Sequence, residues 1–468
     1  ESINEYGNRV APCFMVRSFV RLIGGYSDKA KDGDKPNPAL YETVFSGDVK
    51  GDTKAEIVKS KSGRDSLALS NISDNLTYLL YCRRSNLDTN SESDTTIYVN
   101  GIIIRYAKTF GLELAYTYDA KAIIENSTFE YNLTGAHLEQ ASAEFNNCKF
   151  NNNSSGFGRY YGTRPYDNDI YFRNCTFDFN NAACYLYGSN AVYFINSTIV
   201  NNWTICSDLR SNNLSLVNST FLNNGPGVSC NYFSDEIHLE LRGNIIDTMA
   251  FVRNTPLTYK VHFESSHNYG NISYIKDSEI DELENLPMKG RKELSSFVDG
   301  TYDAKSDVFI PEVKNNGGFT PTVALKSDKL SDGTSIRFPR LDDVLMDQRG
   351  VSRFDETCMG AYELGCVNDT TFTTDTINVG DKILGQTFTK VGVHDSIFET
   401  LKSSLDCDSV VMHRVVVKPD PKTLNYYVKT KKVGDGDGRD WDNAMDGTDF
   451  ATYLPLAPDG ATFYVAAG

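Results

Sequence analysis

Enzymes and metal sites are built from a few side-chain sets: paired carboxylates, a histidine beside a nucleophile, or clustered acids and thiols. The six histidines (137, 238, 262, 267, 394 and 413) fall on different segments, and none has a Ser, Cys or Asp partner at a recognisable spacing. Asp435, Asp437 and Asp440 in GDGDGRD alternate as in a Ca²⁺ loop, but the twelfth loop position is Asp446 where an EF-hand needs a bidentate Glu. A Gly/Asp turn is therefore expected there; calcium is the single metal with any supporting pattern, and otherwise no cofactor is expected. Ten cysteines (13, 82, 148, 175, 184, 206, 230, 358, 366 and 407) form neither a CxxC motif nor a zinc-spaced Cys/His cluster. One cluster suits recognition: Arg159, Tyr160, Tyr161, Arg164 and Tyr166. On a projecting loop these side chains would stack on a glycan or anchor a partner, and the bland alternative is a loop packed back onto its scaffold.

Charge and hydropathy narrow the partners. A formal charge of −16 and no basic run longer than the scattered Lys429, Lys431 and Lys432 leave no surface for phosphate neutralisation, so nucleic acid is not expected. No stretch approaches the roughly 20 apolar residues that cross a bilayer as a helix. Residues 1–20 lack the charged, apolar, small-residue order of a signal peptide, so any export signal is expected outside this sequence.

The elements that must position these residues are set by a repeat. NSTFEYN (126–132), NCKFNNN (147–153), NCTFDFN (174–180), NSTIVNN (196–202) and NSTFLNN (218–224) follow one another at spacings of 21, 27, 22 and 22. The first position is Asn126, Asn147, Asn174, Asn196 and Asn218; the seventh is Asn132, Asn153, Asn180, Asn202 and Asn224. An apolar residue holds the fourth position and another lies two before the first Asn; weaker copies with Gly101 and Gly243 in the Asn position flank the five. A period near 22, with short β-branched or aromatic strands and Asn or Gly corners, predicts an all-β parallel β-helix with three strands per turn, clearest over residues 96–250. Asn tolerates the left-handed corner conformation and its amide can bond the equivalent Asn one turn away, so both series are read as structural ladders. The repeat also explains the Asn-x-Ser/Thr sites at Asn126, Asn196, Asn202 and Asn218 better than glycosylation does. It aligns Cys148 with Cys175 and Cys184 with Cys206, which reads as stacked core thiols ahead of disulfides.

Together with this repeat, GGFTPTVAL (317–325), DQRGVSR (347–353) and MGAYEL (359–364) resemble the closing rungs of bacterial right-handed parallel β-helix surface proteins of the polymorphic outer-membrane or choice-of-anchor type, found in Bacteroidota-like secreted proteins. The resemblance covers about residues 1–365 and implies an extracellular or cell-surface location. In that family the helix opens with a segment similar to YYVKTKKVGDGDGRDWDNAM (426–445) and a strand similar to GATFYVAAG (460–468), which here follow the closing motifs. Gly468 reads naturally into Glu1, as in one period of a tandem repeat or a permuted protomer. Residues 366–418 alternate strands with Gly turns and resemble a small Ig-like β-sandwich with a Cys-Asp-Ser-Val strand; Cys366 and Cys407 bracket it and are the expected disulfide in an extracellular setting. The expected domains are thus a β-helix (1–365), a small β-sandwich (366–418) and a β-helix N-terminal cap segment (419–468).

A β-helix lacking its first rung exposes an open sheet edge. Trp441, Phe463, Tyr464 and Val465 of 419–468 are the candidate interface that covers it, donated to the next repeat or protomer; donation between copies is head-to-tail and builds a filament. Pectin-type hydrolases and lyases share the fold, yet the hydrolases' Asn-Thr-Asp and Gly-His-Gly motifs are missing, and the clustered acids of a lyase's Ca²⁺ site are not expected, since Asp169, Asp178 and Asp208 do not stack in the repeat register. The expectation is a structural or adhesive module and not an enzyme; the alternative is a carbohydrate-active or glycan-binding β-helix.

Overall fold

The computed structural model describes residues 2–3, 9–10, 13–17, 20–60, 64, 66–83, 96–115, 121–138, 142–159, 169–186, 191–207, 213–225, 228–230, 236–247, 251–253, 260–263, 269–273, 284–287, 290–364, 370–402 and 408–467. The chain divides into two compact units, Glu1–Leu364 and Gly365–Gly468.

In the first unit each repeat yields three short strands and one turn of a coil. Lys121–Glu125, Thr128–Glu130 and Thr134–Leu138 make one turn, and each pairs in parallel with its counterpart in the next: Ser142–Asn146, Lys149–Asn151 and Ser155–Arg159. The stack runs from Phe14–Arg17 to Glu284–Pro287, beyond the 96–250 legible as repeats. It is a right-handed parallel β-helix. The apolar positions of the repeat form inward columns, Val99, Ile124, Phe145, Phe172, Phe194, Leu216 and Leu241 in one and Ile104, Phe129, Phe150, Phe177, Ile199, Phe221 and Ile246 in the other, all fully buried. Phe129, Phe150 and Phe177 stack face to face at 4.8 and 4.4 Å, because identical residues in register lie one strand spacing apart. Each buried Phe contributes about 1.5–3 kcal/mol of transfer free energy before ordering costs.

The two Asn series do different work. Asn126, Asn147, Asn174, Asn196 and Asn218 have φ between 44° and 55°, and Gly101 and Gly243 share that conformation. At the second corner the left-handed residue is the one before the Asn: Tyr131, Asn152, Phe179, Asn201 and Asn223. This frees Asn132, Asn153, Asn180, Asn202 and Asn224 to turn inward, where their amides form a continuous chain with Nδ2 donating to the next Oδ1 at 3.0–3.1 Å. Each Oδ1 also accepts a backbone N–H from the preceding turn, and each Nδ2 donates to a strand carbonyl, for Asn180 the carbonyl of Phe150 at 3.0 Å. The first series is linked amide to amide at Asn100, Asn126 and Asn147 only; beyond that another segment takes over the corner.

That segment is 291–364. The resemblance implies closing rungs at 317–325, 347–353 and 359–364, but the structure lays these segments along the flank of the coil. The physical reason lies in one outward column: Arg105, Glu130, Asn151 and Asp178 are followed by Val200 and Leu222, which are fully buried and form a second core with Val217, Phe297, Phe309 and Phe338. Gln348 spans Thr176 and Thr198 on adjacent turns (2.8 and 2.6 Å), and the fully buried Arg353 donates to Asn196 Oδ1 (2.8 Å), the Gly360 carbonyl and Glu363. Gly360 has φ 88°, and a Cβ there would lie 2.7 Å from Thr220 Oγ1, so only glycine lets the backbone approach the coil.

A third inward column, Ser127, Cys148, Cys175, Ser197 and Ser219, shows what the aligned cysteines do. Ser197 Oγ accepts the Cys175 N–H at 3.1 Å, and the Cys148 and Cys175 thiols donate to carbonyls of the preceding turn, Ile124 and Phe145. The thiols are thus serine substitutes. Cys184 faces Cys206 in register on the third sheet, and both are free and buried. Burial pushes the Cys148 and Cys184 thiols well above their ordinary range.

In the second unit, Thr370–Asn378, Gly392–Lys402 and Asp408–Lys418 form a three-stranded mixed sheet beside a hairpin, around Phe388, Val415 and Val417. The described residues of 366–418 thus make a three-stranded sheet and a separate two-stranded hairpin; Cys366 and Cys407 lie outside the described residues. Asn425–Val428 then pairs in parallel with Thr462–Val465 across the helix Gly447–Tyr453, a β–α–β unit with its own core of Tyr426, Val428 and Met445.

Two predictions follow from these columns. Asn180→Ala orphans the buried Asn153 N–H and removes a second bond to the Phe150 carbonyl, so urea unfolding of the first unit should show a loss of about 1–3 kcal/mol, whereas Asn174→Gly, which keeps the left-handed corner, should be nearly neutral. Cys148, Cys175, Cys184 and Cys206 should resist a thiol-directed alkylating reagent in the native protein and react as four free thiols after denaturation; mass spectrometry reads both.

Candidate functional site

The parallel pair Asn425–Val428 and Thr462–Val465 is built like two successive turns of the coil. Tyr426 faces Phe463 at 5.0 Å, Tyr427 faces Tyr464 at 5.1 Å, and Trp441 packs edge-on to Tyr427. The Thr462 and Ala466 amides donate to Leu424 and Val428 of the partner strand. In a parallel pair alternate residues face opposite edges, so the N–H and C=O groups of Phe463 and Val465 point to the outer edge, which among the described residues has no strand beside it. Val428 is 4% exposed, yet Val465, in the same column, is 64% exposed, and Tyr464 and Trp441 are exposed too. Phe463 alone of the four candidate interface residues is partly covered, by Tyr426 and Phe450.

The opening end of the β-helix has a matching deficiency. Phe14–Arg17, Arg21–Ile23 and Val44–Ser46 each pair with the following turn and, among the described residues, with nothing before it. Phe14, Met15, Val20 and Val44 are exposed around that edge. Buried apolar columns thus reach solvent at both places.

The other candidates are distributed as follows. In the GDGDGRD loop, Arg439 binds Asp435 at 2.9 Å and Asp437 at 3.3 Å, while Asp440 accepts the Asp442 and Asn443 amides and caps a short 3₁₀ turn. These carboxylates are used by the loop itself, as a Gly/Asp turn requires. Among the described residues the acids that gather are Asp48, Asp52 and Asp74, all within 4.8 Å; Asp48 accepts the amides of Gly51, Asp52 and Thr53, and Lys50 lies 3.9 Å from Asp74. Tyr160, Tyr161, Arg164 and Tyr166 lie outside the described residues, as does the Arg159 side chain. Asp169 pairs in register with Ala191 and Asp178 with Val200, so they do not stack; Asp208 lies outside the described residues. Of the sequon asparagines, Asn202 and Asn218 are fully buried.

Two histidines do have acidic partners, contrary to the spacing-based expectation: His137 Nδ1 lies 2.9 Å from Glu113, one turn earlier, and His413 Nδ1 lies 2.6 Å from Asp375 on the parallel neighbour. A scan for short spacings misses them because sheet register joins residues 24 and 38 apart.

Asn443 Nδ2 and the two backbone amides hold the Asp440 carboxyl below its ordinary range. Its contribution is therefore present at neutral pH and lost as the pH falls through that depressed value. Asp440→Ala should lower the melting temperature of the second unit at pH 7 by the same amount in calcium as in chelator, and the difference from the parent should shrink on acidification.

Comparison with known proteins adds one finding: residues 110–270 match the family model described as a right handed beta helix region. No curated protein matches the chain. No solved structure matches it either. No helix of the described residues is long and apolar enough to cross a membrane. The matched segment is the one whose Asn, Ser/Cys and Phe columns were traced above, so what the chain resembles at the level of sequence is the coil itself.

Proposed function

We propose that the chain is a structural or adhesive module of an extracellular or cell-surface protein, joined end to end with further copies by strand addition. The carrying observation is Val465: in line with buried Val428, it is 64% exposed, and among the described residues no strand lies beside its outer edge. Its outer edge offers the N–H and C=O groups of Phe463 and Val465, and the Arg21–Ile23 edge of a second copy offers the complementary groups with Leu22 in its own inward column. Burying Val465, Tyr464 and their counterparts contributes about 1.5–3 kcal/mol per fully covered side chain. Such a contact joins two different surfaces and does not close, so it propagates as a filament. The proposed partners are identical protomers or neighbouring repeats, in line with the family resemblance.

Light scattering over a concentration series tests this. The parent chain should grow in mass above its 52.1 kDa monomer and give end-to-end particles by negative-stain imaging. Val465→Pro, which removes an outward donor and leaves the Asn425–Val428 pairing intact, should hold it at monomer mass with unchanged circular dichroism, and Val465→Lys should do the same. A parent chain that stays at monomer mass at every concentration would overturn the proposal.

A further inference from the structure

The edges at Thr462–Val465 and Arg21–Ile23 match in backbone polarity and in side-chain columns. In the coil the Tyr98 N–H donates to the Val20 carbonyl and the Gly24 N–H to the Asn100 carbonyl. Val20 and Gly24, and Leu22 between them, thus turn their backbone groups toward the following turn, and those of Arg21 and Ile23 point to the open edge. The strand Thr462–Val465 obeys the same rule. Its Thr462 amide, and that of Ala466 beyond it, bond backward to Leu424 and Val428, while Phe463 and Val465, in line with the buried Tyr426 and Val428, direct their groups forward. The pair Asn425–Val428 and Thr462–Val465 therefore has the polarity of two turns that would precede a strand such as Arg21–Ile23.

Polarity alone allows registers that differ by two residues, and the side chains choose among them. The outward column is the specific one. Tyr427 and Tyr464 stack at 5.1 Å with planes 19° apart, and the exposed Arg21 guanidinium lies 4.5 Å over the Tyr98 ring of the next turn. We propose that, on the strand-addition reading above, two copies meet in one register, Val465 opposite Leu22 and Tyr464 opposite Arg21, with Arg21 of the second copy held between Tyr464 of the first and its own Tyr98. The Phe463 carbonyl accepts the Arg21 N–H, the Arg21 carbonyl accepts the Val465 N–H, and the Val465 carbonyl accepts the Ile23 N–H. Val428 and Val465 then run into Leu22 and Val99, and Tyr426 and Phe463 into Val20; Val20, Tyr464 and Val465 are all exposed in the single chain. Sliding by two residues one way leaves Leu22 uncovered, and the other way leaves Val20 uncovered and sets Val465 against Gly24, which has no side chain. Either slide takes Tyr464 off Arg21. A guanidinium between two rings keeps its N–H edge in water, so the contact gains cation–π attraction at both faces without burying the charge.

Paired cysteine substitutions in the full chain read the register. Opposed residues have Cα atoms about 4.8 Å apart, within the reach of a disulfide, whereas diagonal neighbours do not. Mild oxidation of the Val465→Cys, Leu22→Cys chain should give a ladder of multimers on a non-reducing denaturing gel, at least tenfold stronger than from the parent, from Val465→Cys with Val20→Cys, or from Phe463→Cys with Leu22→Cys. Light scattering reads the stack: Arg21→Gln and Tyr464→Leu should each weaken association about tenfold and together no more than either alone, with melting curves unchanged, and Tyr464→Phe should assemble like the parent. A stronger ladder from either slid pair, or losses that multiply in the double variant, overturns the register and leaves strand addition standing. A parent that stays monomeric, or a cross-link confined within one chain, overturns both.

Discussion

The amide chain from Asn132 to Asn224 is the interaction on which the rest of the first unit depends. A chain that turns a sharp corner inside a coil leaves backbone N–H and C=O groups facing the interior, where no solvent can satisfy them. Each buried Asn supplies an acceptor for one and a donor for the other, then passes its remaining N–H to the next Asn. Because every amide is oriented by its neighbours, the corners stay in step, and the Phe columns can stack at one strand spacing. The same demand explains the Ser/Cys column, in which an Oγ or Sγ satisfies a carbonyl two residues back.

A uniform coil would expose three equivalent flanks; this one does not. Where its outward column turns from Glu130 and Asn151 to Val200 and Leu222, the segment 291–364 covers it and is held by Gln348 on the Thr176 and Thr198 hydroxyls and by Arg353 on Asn196. Arg353 is fully buried, and its charge is balanced by Glu363 and shared among the carbonyls of Cys358 and Gly360. Such a pair is costly to desolvate, but it fixes one register of the covering segment on the coil.

Solenoids bury their columns only by adding turns, so each end is an unsatisfied surface. The strands at 14–17, 21–23 and 44–46, and in the second unit the strand at 462–465, show that condition in two forms: exposed column residues, and backbone groups at an edge with no strand beside it among the described residues. The proposed assembly by strand addition would remove both at once, which is why that proposal rests on Val465.

Much of the first unit was legible in the sequence, since a repeat near 22 residues with Asn, Phe and Asn at fixed positions has few other solutions. The inward columns, the left-handed corners of the first Asn series and the alignment of Cys148 with Cys175 follow from local spacing; the turns outside 96–250 do not. What spacing cannot carry is which side of a turn meets a distant segment. The Glu113–His137 and Asp375–His413 pairs and the flank-wise path of 291–364 depend on registers between residues far apart in the chain. The division of labour at the second corner was hidden for a related reason: NNN and EYN look alike as letters, and only the folded backbone decides that the middle residue takes the left-handed conformation while the last turns inward. Short-range sterics and hydrogen-bonding capacity, then, determined the coil by themselves, whereas the surfaces available to partners and ligands were decided by tertiary packing, because a surface is whatever the packed columns leave uncovered.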